Sequence, residues 1–282
     1  FCSIPNIALE DRKSLLEKKD RLFWKCSFFG MDTTWPKILE MCNRFSTVTY
    51  ENLTKIIRYA ETGSASSALS LDDSFQNDVD SWMGGGTCFS MTWFVYQELL
   101  ELGLSPKLWM GHKRKERNIH CALCLPYEGK EYLFDPGYLI FDPLLLPSFF
   151  VEGANEAFFP LEPNAVRLVR KNGIVELWTG SLQGAMKLRF EFETAGVSET
   201  EFRHFWRESF SREMMTYPVL NRLDKEQGIQ YYFQKGNLMI RDKNGSRMEK
   251  IEREKQTSVL SKIFNLSPEV IEKALMTLDK IK

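Results

Sequence analysis

The sequence predicts an α+β protein in which helices come first, antiparallel strands follow, and a mixture of the two closes the chain. Three observations carry that prediction. Apolar residues recur at helical spacing over residues 1–62, two-residue alternation takes over from Pro106, and the helical period returns from Glu199. Elements grouped in this way, instead of strands and helices alternating one by one, point away from a parallel βαβ sheet.

In the first section Leu9, Leu15, Leu16, Leu22 and Phe23 form an apolar stripe among Lys and Glu. Thr34 precedes another helix, with Leu39, Met41 and Cys42 in its apolar set, and Tyr50, Leu53, Ile56 and Ile57 recur near helical spacing. The Ser/Ala/Gly-rich stretch 63–70 reads as a loop. Gly84, Gly85 and Gly86 then lead into an apolar segment from Cys88 to Leu102. Being apolar on nearly every side, it reads as a buried central helix, with Gly103 placed to cap it. Strands are expected at 106–111, 119–126, 130–135, 165–170, 173–179 and 185–193, with turns marked by Gly129-Lys130 and Asn172-Gly173. The aromatic-rich 141–159 segment, broken by Pro143 and Pro147, reads as a packed loop. A helix over 199–215, short strands near 230–233 and 237–241, and helices at 256–264 and 268–280 complete the chain. Pro268 stands at the first position of the last helix.

Bulk composition narrows the function classes. The 282 residues are 43% hydrophobic, enough for one large domain or two to three small ones. With 37 Lys+Arg against 38 Asp+Glu there is no global field to steer the chain to phosphate backbones or anionic lipid. Neither nucleic acid nor membrane is therefore expected as its main partner. No apolar run approaches the ~20 residues that cross a bilayer. Glu10, Asp11 and Arg12 precede any apolar region, against a secretory leader, and a cytoplasmic, reducing setting is expected. The six cysteines show no framework spacing, and five of them read as small hydrophobes.

The sixth, Cys88, follows three glycines and opens the central helix. A thiol there feels the positive end of the helix dipole, which favours thiolate. Taken alone it reads first as a core cysteine starting a packed helix. Of the three histidines, His112 lies in a basic stretch and His204 in a charged helix, so both read as solvated and His120 is the candidate partner. Strand alternation puts His120, Ala122 and Cys124 on one face and Cys121, Leu123 and Leu125 on the other. Asp135 ends the strand that pairs naturally with that of His120, and either makes the following turn or orients the imidazole. Competing patterns are weaker. Cys121 and Cys124 point to opposite faces of one strand, the glycine run lacks a following Lys-Ser/Thr, and no metal is indicated.

The segment Gly85-Gly86-Thr87-Cys88-Phe89 resembles the nucleophile motif R-G-G-x-C-F-E of the arylamine N-acetyltransferases. Thr49-Tyr50-Glu51-Asn52-Leu53 resembles that family's P-F-E-N-L, and Asp135-Pro136-Gly137-Tyr138 stands where D-V-G-F usually does, 15 positions after His120. The resemblance runs in register over residues 20–150 and more loosely beyond. It implies an N-terminal helical bundle (1–83), a central antiparallel β-barrel-like domain with the nucleophile helix (84–195) and a C-terminal α/β lid (196–282). It also implies a Cys88-His120-Asp135 triad and ping-pong transfer from acetyl-CoA, through a Cys88 thioester, to a small arylamine or hydrazine. Tyr50, Phe89 and Tyr138 would bind substrate. Gly84 replaces the motif's Arg and Ser90 its Glu, so both halves of an inferred charge pair are expected to be absent together. Asp135-Pro136 also resembles the transglutaminase-like families, which share the triad and act on peptides without CoA. An amide synthase and a non-catalytic protein of the same fold are the remaining alternatives.

Overall fold

The computed structural model describes residues 33–71, 73–148 and 155–281. The stripe expected between Leu9 and Phe23 lies outside them. The first helical elements are α1 (Thr34–Phe45), α2 (Leu53–Thr62), α3 (Ser74–Trp82) and α4 (Cys88–Glu101). Helix α1 buries Ile38, Met41, Cys42 and Phe45, whereas Leu39, expected in that set, faces solvent at 45% exposure. Helix α4 is the buried one: Phe89, Met91, Thr92, Val95 and Leu99 are all sequestered. It ends in a Schellman closure, with Gly103 N–H donating to Leu100 O and Leu104 N–H to Leu99 O.

Eight strands follow in one antiparallel, barrel-like sheet: β2 (Lys107–Lys113), β3 (Glu116–Tyr127), β4 (Lys130–Asp135), β5 (Ile140–Leu145), β6 (Glu156–Leu161), β7 (Asn164–Lys171), β8 (Ile174–Gly180) and β9 (Lys187–Glu193). Their spatial order is β5-β4-β3-β2-β9-β8-β7-β6. Trp109, Ala122, Leu133, Val166, Leu177 and Phe192 meet in its core. Two-residue turns with left-handed backbone, Glu128-Gly129 and Asn172-Gly173, set the registers Tyr127↔Lys130 and Lys171↔Ile174. The first turn thus sits one residue earlier than the Gly129-Lys130 expected.

A second, five-stranded sheet runs β1 (Tyr50–Glu51), β10 (Val219–Asp224), β11 (Ile229–Gln234), β12 (Asn237–Asp242) and β13 (Gly245–Lys250) in that order. Helix α5 (Glu199–Glu208) starts on a Ser198/Glu201 capping box, and α6 (Arg253–Phe264) and α7 (Pro268–Ile281) come last. Leu53 and Ile57 of α2 share one core with Leu220, Phe233, Phe264 and Ile271. Helix α2 is thereby packed against the last helices and the second sheet. Residues Ile38–Lys282 form one compact unit; of the other, Phe1–Lys37, the start of α1 is described.

The α+β reading holds, and several elements differ from expectation for physical reasons. Residues 140–145 and 156–161 are strands, not loop, and they carry Pro143 and Pro160 because they form the two edges of the sheet, where a missing N–H is tolerated. Strand β13 is exposed throughout, so it shows no apolar alternation to read. Tyr50 belongs to a short strand rather than to the helix that starts at Leu53, and the helix from Glu199 stops at Glu208 before two 3-10 turns. No helix among the described residues is long and apolar enough to cross a membrane.

Candidate active site

The loop before Cys88 is tied to β1. Gly85 N–H donates to Thr49 O at 2.9 Å, and Glu51 N–H donates to Gly86 O at 2.9 Å. The wholly buried Glu51 carboxylate accepts from Gly86 N–H (2.7 Å), Thr54 N–H (2.8 Å) and Thr54 Oγ1 (2.6 Å). Gly86 has φ of +65°, and a Cβ there would lie 2.2 Å from Ser90 Oγ, so any other residue would be strained and would displace Ser90. Pinned in this way, the loop releases Cys88 at the first position of α4, in the positive field of its free N–H groups.

The sequence motif pairs the missing Arg at Gly84 with a missing acid at Ser90. The geometry corrects this. A Cβ on Gly84 would sit 3.0 Å from Glu51 Oε1, so the acid facing that position is Glu51, which is present, while Ser90 Oγ donates to Thr87 O. Burial raises the Glu51 carboxyl above its ordinary value, and its three neutral donors oppose the rise.

His120 lies on β3 opposite Gly111, and its ring stacks on Phe190 at 4.1 Å and 15°. Its Nε2 is 2.8 Å from each Asp135 oxygen. Asp135, fully buried at the end of β4, also accepts Tyr138 N–H at 3.0 Å and so caps the 3-10 turn Pro136–Tyr138. Turn-maker and imidazole partner are one residue. With Nε2 committed to Asp135, Nδ1 is the nitrogen left for the thiol, and the Cys88 and His120 side chains meet at Gly137, where a Cβ would lie within 3.3 Å of both. The 3-10 turn presses on the start of α4 so closely that a Cβ on Gly137 would fall 2.4 Å from Cys88 Cβ.

These contacts separate the charges. The Cys121 S–H, outweighing burial and joined by the His120 imidazolium, holds the Cys88 thiol well below its ordinary value. Burial and the adjacent thiolate push the Cys121 thiol up, so Cys121 keeps its proton and donates it. Burial disfavours a charged His120, yet the Asp135 carboxylate and Cys88 overcome it and raise the imidazole to about 10. These directions favour a thiolate–imidazolium pair, beside an Asp135 carboxyl that burial raises and the His120 charge lowers.

Of the other expected site residues, Tyr138 stands edge-on to the His120 ring, with centroids 6.1 Å apart, and Tyr50 is buried within electrostatic reach of Cys88. Phe89 is placed elsewhere: its ring is in the core against Phe202 and Trp206. His204 is half exposed, as expected, but His112 is buried; its Nδ1 accepts Asn118 N–H at 3.1 Å and its Nε2 lies 3.3 Å from Glu193. Glu51 as a brace and Cys121 as a donor escaped the sequence reading. So did Lys55, which donates to Ser209 Oγ at 2.5 Å over the Phe210 ring and which burial lowers to about 7. A cavity of about 380 Å³ opens beside His120, walled by Tyr138 and Phe190 on one side and by Asn221, Tyr232 and Met239 on the other. Strand register continues that last row to Tyr50. Among the described residues no group of three or more His, Cys, Asp or Glu could hold a metal ion.

A family model described as N-acetyltransferase matches residues 38–272. No curated protein matches the chain in sequence. Among solved structures, the arylamine N-acetyltransferase of M. tuberculosis is similar at 18% identity and a TM-score of 0.67, over 89% of this chain and 96% of that one. That of Mycobacterium marinum, solved in complex with CoA, is similar at 18% identity and a TM-score of 0.66, over 86% of this chain and 91% of that one. The Bacillus cereus enzyme with a Cys-His-Glu catalytic triad is similar at 17% identity and a TM-score of 0.60, over 82% of this chain and 89% of that one. Matched over most of its length by the family model, and sharing the fold of these structures, the chain belongs to the arylamine N-acetyltransferase family of enzymes.

Proposed function

We propose that this enzyme carries an acetyl or related acyl group from acetyl-CoA to an arylamine or hydrazine by a ping-pong route, with Cys88, His120 and Asp135 as its catalytic residues. The observation that carries the proposal is the buried Asp135 holding His120 Nε2 at 2.8 Å while the opposite nitrogen is left to Cys88. In the first half-reaction the Cys88 thiolate attacks the thioester carbonyl, the carbon–sulfur bond to CoA breaks, and His120 returns a proton to the departing CoA sulfur. In the second, the amine nitrogen attacks the Cys88 thioester and gives its proton to His120, and the thiolate leaves. Asp135 keeps the imidazole in one orientation and stabilises its charged form throughout. The CoA complex of the M. marinum relative supports CoA as donor, and a Cys-His-acid triad in the B. cereus relative supports the roles assigned. Tyr50 and Tyr138 border the acyl-enzyme, and a reducing cytoplasm would keep its thiol free.

The test is intact mass spectrometry after incubation with acetyl-CoA and no acceptor. The expected result is one acetyl adduct on Cys88, discharged by an arylamine. No adduct, on protein whose Cys88 still reacts with iodoacetamide, would refute CoA-dependent transfer and favour a peptide-directed thiol enzyme.

A further inference from the structure

The charged residues lining the cavity beside His120 are all cationic. Arg189 of β9 and Arg241 of β12 line it together with Lys113, and its lining contains no Asp or Glu. Each guanidinium is anchored by a neutral acceptor. Arg189 Nε donates to Thr179 Oγ1 at 2.7 Å, and Arg241 Nη1 donates to Asn164 Oδ1 at 2.9 Å, while Arg241 Nη2 meets only Met239 Sδ at 3.9 Å. Among the described residues neither arginine makes an ion pair. Others do: Arg58, Arg117 and Arg170 each have a carboxylate oxygen within 2.6 Å.

Two half-buried cations facing one cavity without a counter-ion are costly unless something anionic enters. The anchoring bonds fix both groups in orientation and leave N–H donors open, the arrangement that suits a planar carboxylate. One of the charges is linked to His120 through Thr179 and Tyr138. Thr179 Oγ1, which holds Arg189, lies 3.3 Å from the Tyr138 hydroxyl, and Tyr138 stands edge-on to His120.

We infer that Arg189 and Arg241 bind a carboxylate of the substrate, carried either by the acceptor amine or by the transferred acyl group. The inference rests on the acyl-transfer reading above. It makes the enzyme selective for a charge at the end of the substrate away from the new bond.

The test loads Cys88 with 4-nitrophenyl acetate, which has no phosphate, and compares 4-aminobenzoate with the isosteric, neutral 4-aminobenzamide as acceptors. A second arm compares acyl-enzyme formation from succinyl-CoA and acetyl-CoA. The carboxylated member is expected to win in one arm, which identifies its source. In Arg189→Gln and Arg241→Gln the charged-to-neutral ratio of kcat/KM in that arm is expected to fall about 10- to 100-fold, as for loss of a charge-assisted hydrogen bond. Arg189→Lys, which keeps the charge, should retain part of it. Equal use of charged and neutral substrates in both arms would overturn the inference. So would variants that raise the KM for acetyl-CoA with discrimination intact, since the arginines would then serve the donor's phosphates. Should Cys88 acquire no acyl group at all, the transferase reading fails, and calorimetric binding of 4-aminobenzoate and succinate still decides the carboxylate site. Binding weakened in both Gln variants upholds it; no binding ends it.

Discussion

Two fully buried carboxylates hold the active centre from its two halves, and they are compensated in opposite ways. Asp135, at the end of a strand in the eight-stranded sheet, faces an imidazolium and one backbone N–H. Glu51, from the helical side, faces two backbone N–H groups and a hydroxyl, and the position from which a cation could reach it is Gly84. A carboxylate matched by a titrating cation takes part in moving charge. One matched by fixed neutral dipoles braces the backbone, and its own charge contributes little to the reaction.

The sharpest way to break that contrast is to neutralise each acid without changing its shape. Asp135→Asn is expected to lower kcat by about three to four orders of magnitude, as loss of the orienting acid does in other triads. Gly137→Ala comes next. Its Cβ would fall 2.4 Å from Cys88 Cβ and 2.6 Å from Cys88 Cα, so the two halves of the centre must part. Overpacking of this kind costs about 1–3 kcal/mol of stability, to be read by urea unfolding, and Cys88 alkylation should slow in parallel.

A smaller effect is expected at Cys121. In the wild type, iodoacetamide should label Cys88 almost as fast at pH 6 as at pH 8, while Cys42, which burial pushes up to about 12, stays unlabelled. Cys121→Ala removes the S–H donor, so the labelling rate at pH 6 should fall by about tenfold, with little change at pH 9. An unchanged pH profile would show that Cys121 does not set the thiolate. The same pair bears on stability. His120 rises from 6.5 to about 10 on folding, so its contribution is complete below pH 6.5 and drains away as pH climbs through 10. Glu51→Gln is the mildest change. Its side-chain oxygen can still accept from Gly86 and Thr54, so kcat should stay within about fivefold, with a stability loss near 1 kcal/mol from the unpartnered amide. A loss as deep as that of Asp135→Asn would erase the distinction between the two acids.

What could be read from the sequence follows the range of the interactions. The His120–Asp135 partnership was legible because a two-residue turn at Glu128-Gly129 fixes the β3–β4 register locally. The glycine run before Cys88 and Gly103 after it delimited α4 for the same reason. Cys121 was assigned to the correct face of β3, but that this face meets the N-terminus of α4 is a tertiary fact. The neighbours Lys113, Arg114 and Lys115 made His112 look solvated, whereas β2 continues to Lys113 and sets His112 opposite Glu191. Phe89 followed the motif rather than the packing, and the α4 surface it belongs to faces α5. Arg189 and Arg241 come together from two different sheets, so no local pattern could join them.

The pairing of β1 with β10 has a consequence for how the enzyme comes into being. Tyr50 and Glu51 find their partners in Asn221 and Leu220, so the strand that carries the brace for the nucleophile loop must wait for a segment made much later. On a ribosome, Cys88, His120 and Asp135, the residues proposed as catalytic, leave the exit tunnel before that segment exists. Contacts so distant along the chain are slow to form, and a nascent or truncated chain would hold Cys88 without its support. Until that segment is made, β1 lacks its neighbouring strand and the Glu51 brace lacks one of its anchors.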